Sequence, residues 1–496
     1  MAYTINKVYQ RFYQDSVALM RLSRELKEKV GVNEAALMMG SPSNKQILED
    51  AGLLTDTGKS ATGGDLILSI QATDVDTANA VLTVAELKIK GKDNFTTANR
   101  DWRPKSIRAA VRAEPSANFA LISVPGEFAV AEARKALMHD LNVMIFSDNV
   151  PLEEELQLKQ LAGGKDLLMM GPDCGTAILD GIPIAFANKV RNGNIGVIGA
   201  SGTGIQEVTS LISNHGGGIS QAIGVGGRDL SDEIGGLTTF AAIDRLDNDE
   251  GTKQIILISK PPGEQVLTSV LGRIGQSKKP FTLCFIGATG LQLPPNATAV
   301  RTLEETAQTA LGGIKFNYSK NIDLQVCKDG TQIRGLFSGG TLAAEAQLIL
   351  LDAGQAVSSN AKVPGAKDLS EAKNIHKIID LGDDQYTQGR PHPMIDPEVR
   401  SELLLQAHQD SNVGVILVDV VIGFGAHADP AGNLVNMLTE ISVDTSPVVV
   451  ASVTGTEEDP QIRSKQVKTL KSGGVVVASS NADATRTALK LLGINS

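Results

Sequence analysis

The residues best placed to do chemistry in this chain are Ser201, Gly202, Thr203 and Gly204. They lie in Asn194-Ile-Gly-Val-Ile-Gly-Ala-Ser-Gly-Thr-Gly-Ile-Gln-Glu-Val208, between an apolar run and a helical pattern with Val208, Leu211 and Ile212 on one face. A strand that runs through glycines into a helix presents several backbone N–H groups at one point. The helix dipole adds partial positive charge, and the two hydroxyls can donate as well. That chemistry suits phosphate or carboxylate. No Gly-Lys-Ser/Thr follows, and the glycine spacing is not that of a dinucleotide fingerprint. The plainer alternative is an ordinary N-cap, where Ser and Thr are preferred. Gly339, Gly340 and Thr341, in Leu336-Phe-Ser-Gly-Gly-Thr341, repeat the arrangement.

Other side chains could complete such a site. Arg228, after a strand and Gly226-Gly227, could clamp an anion bidentately, or could pair at the surface with Asp229 or Asp232. Lys260 could neutralise charge on a transferring group, or could be a solvated strand-end lysine. His392, in Gly389-Arg-Pro-His-Pro-Met-Ile-Asp-Pro397, is held between prolines and could donate to a carbonyl or shuttle a proton. Arg390 and Asp396 are its neighbours for binding or orienting substrate. His427 is the other histidine worth weighing. Cys174 has no neighbouring base and reads as packing. Asp383-Asp384 and Asp419 read as solvated or capping carboxylates more readily than as Mg²⁺ ligands, so no metal is expected.

These groups need elements to position them. A chain of 496 residues allows about three domains. Aromatics are only 4%, so the cores must be built from Val, Ile, Leu and Ala, as in parallel sheets buried on both faces. The net charge of −10 argues against nucleic acid as a partner. Three scattered cysteines form neither a disulfide framework nor a metal cluster. The chain has no long apolar stretch and no signal-peptide pattern, and a cytoplasmic location off the membrane is expected.

Strands are expected at Ala35–Met39, Leu66–Ile70, Phe119–Val124, Asn142–Phe146 and Leu167–Met170, alternating with helices at Asp15–Glu28, Val75–Ile89, Glu127–His139 and Leu152–Gly163. Lys90–Pro104 reads as a loop. This rhythm predicts an open, mostly parallel sheet. Further strands are expected at Ile195–Ile198, Gln221–Val225, Gln254–Ser259 and Phe281–Ile286, then at Gly414–Val420, Pro447–Ser452 and Val475–Ala478. The last two stretches look like related units. Besides the two glycine turns, Pro280–Gly290 parallels Pro447–Thr456, and Thr-Ala-Leu recurs at 309–311 and 487–489.

These motifs resemble the succinyl-CoA synthetase superfamily. Met170-Gly-Pro-Asp-Cys-Gly175, Gly196–Thr203, Ala222-Ile-Gly-Val-Gly-Gly-Arg228 and Val421-Ile-Gly-Phe-Gly425 carry the likeness. Within it the chain is most similar to the FdrA family, through Ser147-Asp-Asn149, Gly171–Thr176, Gly339–Glu345, Leu381-Gly-Asp-Asp384, Gly389–Pro397 and Asp419–Gly425. The resemblance implies an α/β fold in three parts. They are a Rossmann-like, CoA-binding-type domain over 1–190, and flavodoxin-like succinyl-CoA ligase domains over 195–320 (alpha type) and 333–496 (beta C-terminal type).

The chain departs from the synthetases in three places. The loop expected to carry a phosphohistidine is Gly287-Ala-Thr-Gly-Leu-Gln-Leu-Pro294, without histidine. Ser259-Lys-Pro-Pro-Gly263 stands where a glutamate would hold that histidine. Gln10-Arg-Phe-Tyr-Gln-Asp-Ser16 replaces a glycine-rich CoA turn, which makes CoA doubtful. No ATP-grasp domain is visible. FdrA members resemble a subunit of oxamate carbamoyltransferase in allantoin breakdown, which converts oxalurate and phosphate into oxamate and carbamoyl phosphate. A carbamoyltransferase subunit is therefore expected, with phosphate or carbamoyl phosphate as ligand and no required cofactor. It would work with other subunits, as a homo- or hetero-oligomer. An ADP-forming acyl-CoA synthetase subunit, or a non-catalytic scaffold or anion sensor, are the alternatives.

Overall fold

The computed structural model describes residues 3–12, 14, 16–91, 104–316, 330–371, 375–387, 391–441 and 447–494. The chain divides into two compact units, Met1–Arg103 with Thr387–Pro391, and Pro104–Tyr386 with His392–Ser496.

The first unit contains β1 (Tyr3–Tyr9), α1 (Ser16–Lys27), β2 (Val32–Met39), α2 (Pro42–Asp50), α3 (Asp56–Lys59), β3 (Leu66–Ala72) and α4 (Val75–Gly91). Its sheet has the order β1-β3-β2, and both pairings are antiparallel. Strand β3 is central and alternates. Leu66, Leu68 and Ile70 pack with Leu19 and Leu26 of α1 and with Val81 and Ala85 of α4. Ile67 turns to the other face, with Ala36, Leu48 and Leu53. Buried Asn6 donates to Leu53 O at 2.8 Å and to Ser69 Oγ at 2.9 Å.

This corrects the expectation of one parallel, Rossmann-like domain over 1–190. The strands at Ala35–Met39 and Leu66–Ile70 exist, but they run antiparallel and join β1 in a sheet of their own. Apolar patterning reports which faces are buried, not the direction of the neighbouring strand. Of the Lys90–Pro104 stretch, residues 92–103 lie outside the described residues.

The second unit begins with α5 (Ile107–Ala113), β4 (Phe119–Ile122), α6 (Gly126–Met138), β5 (Asn142–Ile145), α7 (Leu152–Gly163) and β6 (Met169–Met170). Here the expected parallel β-α-β rhythm holds, in the order β4-β5-β6.

Next come the hairpin β7 (Thr176–Leu179) and β8 (Ile182–Ala185), then β9 (Asn192–Gly199), α8 (Gly202–Asn214), β10 (Ile219–Gly224) and α9 (Leu237–Asn248). They are followed by β11 (Gln254–Ser259), α10 (Glu264–Gln276), β12 (Phe281–Phe285), β13 (Ala297–Ala299) and α11 (Leu303–Ala310). The sheet order is β13-β12-β11-β9-β10-β7-β8, parallel apart from the hairpin strands.

The last stretch opens with β14 (Gln332–Phe337), α12 (Gly340–Asp352), β15 (Val357–Ser359), β16 (Lys367–Asp368), β17 (His376–Asp380), α13 (Asp384–Thr387) and α14 (Glu398–Gln409). It closes with β18 (Val413–Val421), α15 (Pro430–Glu440), β19 (Val448–Thr454), α16 (Arg463–Ser472), β20 (Val476–Ala478) and α17 (Asn481–Leu491). Its seven strands are parallel in the order β16-β15-β17-β14-β18-β19-β20.

The two large sheets are the related units expected from the sequence. Each leads from an inner strand (β9 or β14) through a glycine turn into a buried helix (α8 or α12). Helices α8, α11, α12 and α17 share one core, which includes Ile205, Val208, Ala307, Leu342, Ala346 and Ala488. Burial of these helices brings the two glycine turns to one place.

A candidate anion site where two helix N-termini meet

Ser201 caps α8, its Oγ accepting from Gly204 N at 3.0 Å. Across from it, Gly339 is the N-cap residue of α12, which has no side-chain cap. The turns touch. Ser201 Oγ hydrogen-bonds Thr341 Oγ1, and a Cβ on Gly339 would stand 2.9 Å from the Thr203 Cβ. Glycine at 339 is therefore a requirement of close approach. Ser201, Thr203, Gly204, Gly339 and Thr341 are brought together within one chain, and Gly202 and Gly340 are the first residues of the two helices.

The turns are not equivalent. Asp419, near the C-terminal end of β18 and fully buried, accepts from Ser338 N (2.8 and 3.1 Å) and from Gly339 N (2.8 Å). Buried Arg400 of α14 donates to the Asp419 carboxylate and to Ser338 Oγ, and reaches Asp419 O at 2.8 Å. The second turn thus holds the protein's own carboxylate, neutralised by its own guanidinium. In the first turn a hydroxyl, Ser201 Oγ, occupies the capping position.

Titratable groups gather around the junction. Asp380, at the end of β17, accepts from Gly382 N at 2.9 Å. A Cβ on Gly340 would fall 2.4 Å from its Oδ2. Burial pushes the Asp380 carboxyl up to about 6; the Gly382 amide and Lys260 oppose the rise, and Asp383 and Asp419 add to it. Asp173 is exposed as a residue, yet its carboxyl is also pushed up to about 6. The cause is first the crowding of protein around it, then Asp148 and Asp384, against Lys260 and Arg228. Exposed Lys260, just past β11, is therefore the cation whose field reaches both carboxyls.

His392 accepts from Met394 N on Nδ1 at 3.2 Å, and its ring centroid lies 6.0 Å from that of Phe186. Burial lowers it to about 4, Asp419 opposing and Arg400 adding to the fall. A neutral imidazole that accepts on Nδ1 carries its proton on Nε2. That atom would be 2.8 Å from a Cβ on Gly382, beside Ser338 O and Asp380. At neutral pH this arrangement can donate a hydrogen bond.

Arg228 is placed differently. Its Nη2 is committed to Val150 O at 2.7 Å and to Glu155 at 2.8 Å, so the ion pair is with neither Asp229 nor Asp232. Glu155 in turn pairs with buried Lys159, which pairs with Asp229. Arg228 thereby ties its loop to α7 while its field still lowers Asp173. Gly226 and Gly227 pack on the Gly171–Asp173 loop. His427 accepts from Asp429 N. Arg390 lies outside the described residues.

Cys174 is buried and its thiol is pushed up to about 12 by desolvation, which fits packing and not nucleophilic attack. Among the described residues, no three His, Cys, Asp or Glu side chains are grouped to hold a metal. No helix among them is long and apolar enough to cross a membrane.

Asp173, Asp380, Asp419 and Arg400 are the functional candidates that sequence reasoning missed. The sequence reads Asp419 as a solvated or capping carboxylate; the structure buries it against Arg400. The available signal was a carboxylate at or near the end of a predicted strand, where ligands of parallel sheets gather.

Comparison with known proteins adds the following. Residues 1–103 match a family model described as AllF, heavy metal-associated domain, 190–271 a CoA binding domain, and 336–491 a CoA-ligase domain. The CoA-binding match begins at residue 190 and covers the first part of the 195–320 stretch. Residues 1–103 contain neither Cys nor His, so thiolate or imidazole metal ligands are missing from that stretch. The chain is 39% identical over 495 residues to the uncharacterized protein YahF of Escherichia coli K12, covering 95% of each. It is 28% identical over 182 residues to the succinate–CoA ligase [ADP-forming] subunit alpha of Methanothermobacter thermautotrophicus, which covers 36% of this chain and 60% of that one. Among solved structures, ATP citrate lyase from Methanothrix soehngenii matches with TM-score 0.33 and 21% identity, over 42% of this chain and 36% of that one.

Proposed function

The chain belongs to the FdrA family, and on that footing we propose that it is a carbamoyltransferase subunit acting in allantoin and purine nitrogen catabolism. The reaction is oxalurate and phosphate to oxamate and carbamoyl phosphate. The observation that carries this reading is the contact of the two glycine turns through Ser201 and Thr341, in a chain whose Gly287–Pro294 loop offers no histidine to phosphorylate. Phosphate binds as a free anion at the α8 N-terminus, beside Lys260. A phosphate oxygen attacks the carbamoyl carbon while the C–N bond to oxamate breaks, and the phosphate proton passes to the departing nitrogen. His392 Nε2–H polarises the carbamoyl oxygen. Asp380 and Asp173, each near 6, suit the proton transfer. Partner subunits complete the enzyme, no resident cofactor is needed, and the complex is cytoplasmic.

A second reading is an ADP-forming acyl-CoA synthetase subunit. It is favoured by the CoA-binding and CoA-ligase matches and by the likeness to a succinate–CoA ligase alpha subunit. Calorimetry of the purified chain with phosphate, carbamoyl phosphate and CoA separates the two, followed by phosphorolysis of oxalurate with the partner chains added. Binding of phosphate or carbamoyl phosphate that is lost in Ser201→Asp supports the first. CoA binding without either anion supports the second. A reconstituted rate indifferent to Lys260→Ala and Ser201→Asp would reduce this chain to a scaffold or sensor.

A further inference from the structure

The two helices that bear the glycine turns also bear a matched pair of buried acids. Glu207 follows Ser201 at the same interval as Glu345 follows Gly339. Both side chains are enclosed, at 3% and 1% exposure. Each reaches into the opposite half through its Oε1. Glu207 Oε1 accepts from Asn481 N at 3.0 Å, the first amide of α17, which closes the other sheet. Glu345 Oε1 accepts from Leu303 N at 2.7 Å, the first amide of α11, again in the opposite half.

The remaining oxygens repeat the exchange in part. Glu207 Oε2 accepts from Thr454 Oγ1 at the end of β19, and Glu345 Oε2 accepts from Asn481 Nδ2 at 2.7 Å. Beside Leu303, Glu304 pairs with Arg486 of α17 at 2.6 Å, a third link between the halves. The first amides of a helix lack an intrahelical acceptor, and negative charge is favourable there. A buried carboxylate costs free energy unless its hydrogen bonds are made. Each glutamate and the helix end it reaches therefore require one another.

We propose that Glu207 and Glu345 are positioning residues. By capping each other's half, they fix the axial register of α8 and α12, so that the Ser201–Thr341 junction forms only while both caps are made. The proposal rests on the anion-site reading above for its functional part. Its structural part is independent of that reading.

The test uses the full chain, with hydrogen exchange read by mass spectrometry and inorganic phosphate binding read by calorimetry. Glu345→Ala should speed exchange at the start of α11, and Glu207→Ala at the start of α17, each by about tenfold, as expected for losing a helix-terminal acceptor. Phosphate Kd should weaken by roughly tenfold in both, equivalent to about 1.4 kcal/mol. Glu345→Gln keeps an oxygen for the Leu303 amide and gives up only the contact from Asn481 Nδ2, so it should hold its Kd within about threefold. Loosening confined to the substituted helix, or an unchanged Kd in both alanine variants, would overturn the proposal. If an alanine variant does not fold, the same crosswise exchange is read in Glu207→Gln and Glu345→Gln, which must show it weakly at the opposite helix and nowhere else. If the parent chain binds no phosphate, the anion-site reading fails, while the exchange pattern still decides the reciprocal hold.

Discussion

At the scale of residues, the junction is a balance of charge around Lys260. Asp380 and Asp173 lie on its field and are each raised to about 6, so each gains a proton as the pH falls through that value. Losing two negative charges favours an incoming anion. Phosphate affinity, corrected for phosphate's own titration, should therefore rise between pH 7.5 and 5.5. Asp380→Asn should tighten binding at pH 7.5 and flatten that rise, which calorimetry at the two pH values would check. Ser201→Asp should abolish phosphate binding, because it places a fixed charge where the ligand's would go. Ser201→Ala should cost the cap and the Thr341 contact, about 1–2 kcal/mol, measured by urea unfolding. The hydroxyls and glycines of both turns were legible in the sequence because they sit between an apolar run and a helical pattern. Arg400 and Asp419 were not, since nothing in local spacing says that α14 lays a guanidinium against the C-terminal end of β18.

At the scale of elements, Asp419 holds the turn ahead of α12 by taking the Ser338 and Gly339 amides from a distant strand, whereas Ser201 caps α8 from within, at Gly204 N. Asp419→Ala would leave Arg400 buried beside empty space, and unfolding should show a loss of about 3–5 kcal/mol, the usual result of removing one partner from a buried pair. Asp419→Asn should lose less, since one oxygen still accepts from the Ser338 and Gly339 amides. Most strands and helices of the second unit were readable from period and length: Leu152–Gly163 and Gln254–Ser259 fall where expected. Strand β1 was not, because Tyr3–Tyr9 mixes polar and apolar residues and hides Asn6 inside. The antiparallel sense of β1, β2 and β3 was equally out of reach, because alternation along a strand carries no information about its neighbour's direction.

At the scale of the whole molecule, the two seven-stranded halves of the second unit are bound by acids exchanged across them. Burial raises Glu345 to about 8. A carboxyl raised on folding adds stability that is full below its ordinary pKa and is lost as pH climbs through the folded value. The chain should therefore lose stability between about pH 5 and 8, and Glu345→Gln should lose less over that range; urea midpoints at the two ends would show it. The repeat itself could be seen in sequence, through Ser-Gly-Thr and Gly-Gly-Thr. The exchange could not, because Glu207 and Glu345 look like ordinary polar positions within helical patterns.

The carboxylate of Asp419 in the second turn has a consequence for stoichiometry. Two helix ends that meet would ordinarily suggest two seats and a saturation of two anions per chain. The turn ahead of α12 already holds the Asp419 carboxylate, whose negative charge disfavours a second anion beside it, so titration should saturate at one, without a second, weaker phase. On the proposed reading, the turn before α8 is the one that takes the anion, while the turn before α12 keeps the polypeptide's own carboxylate.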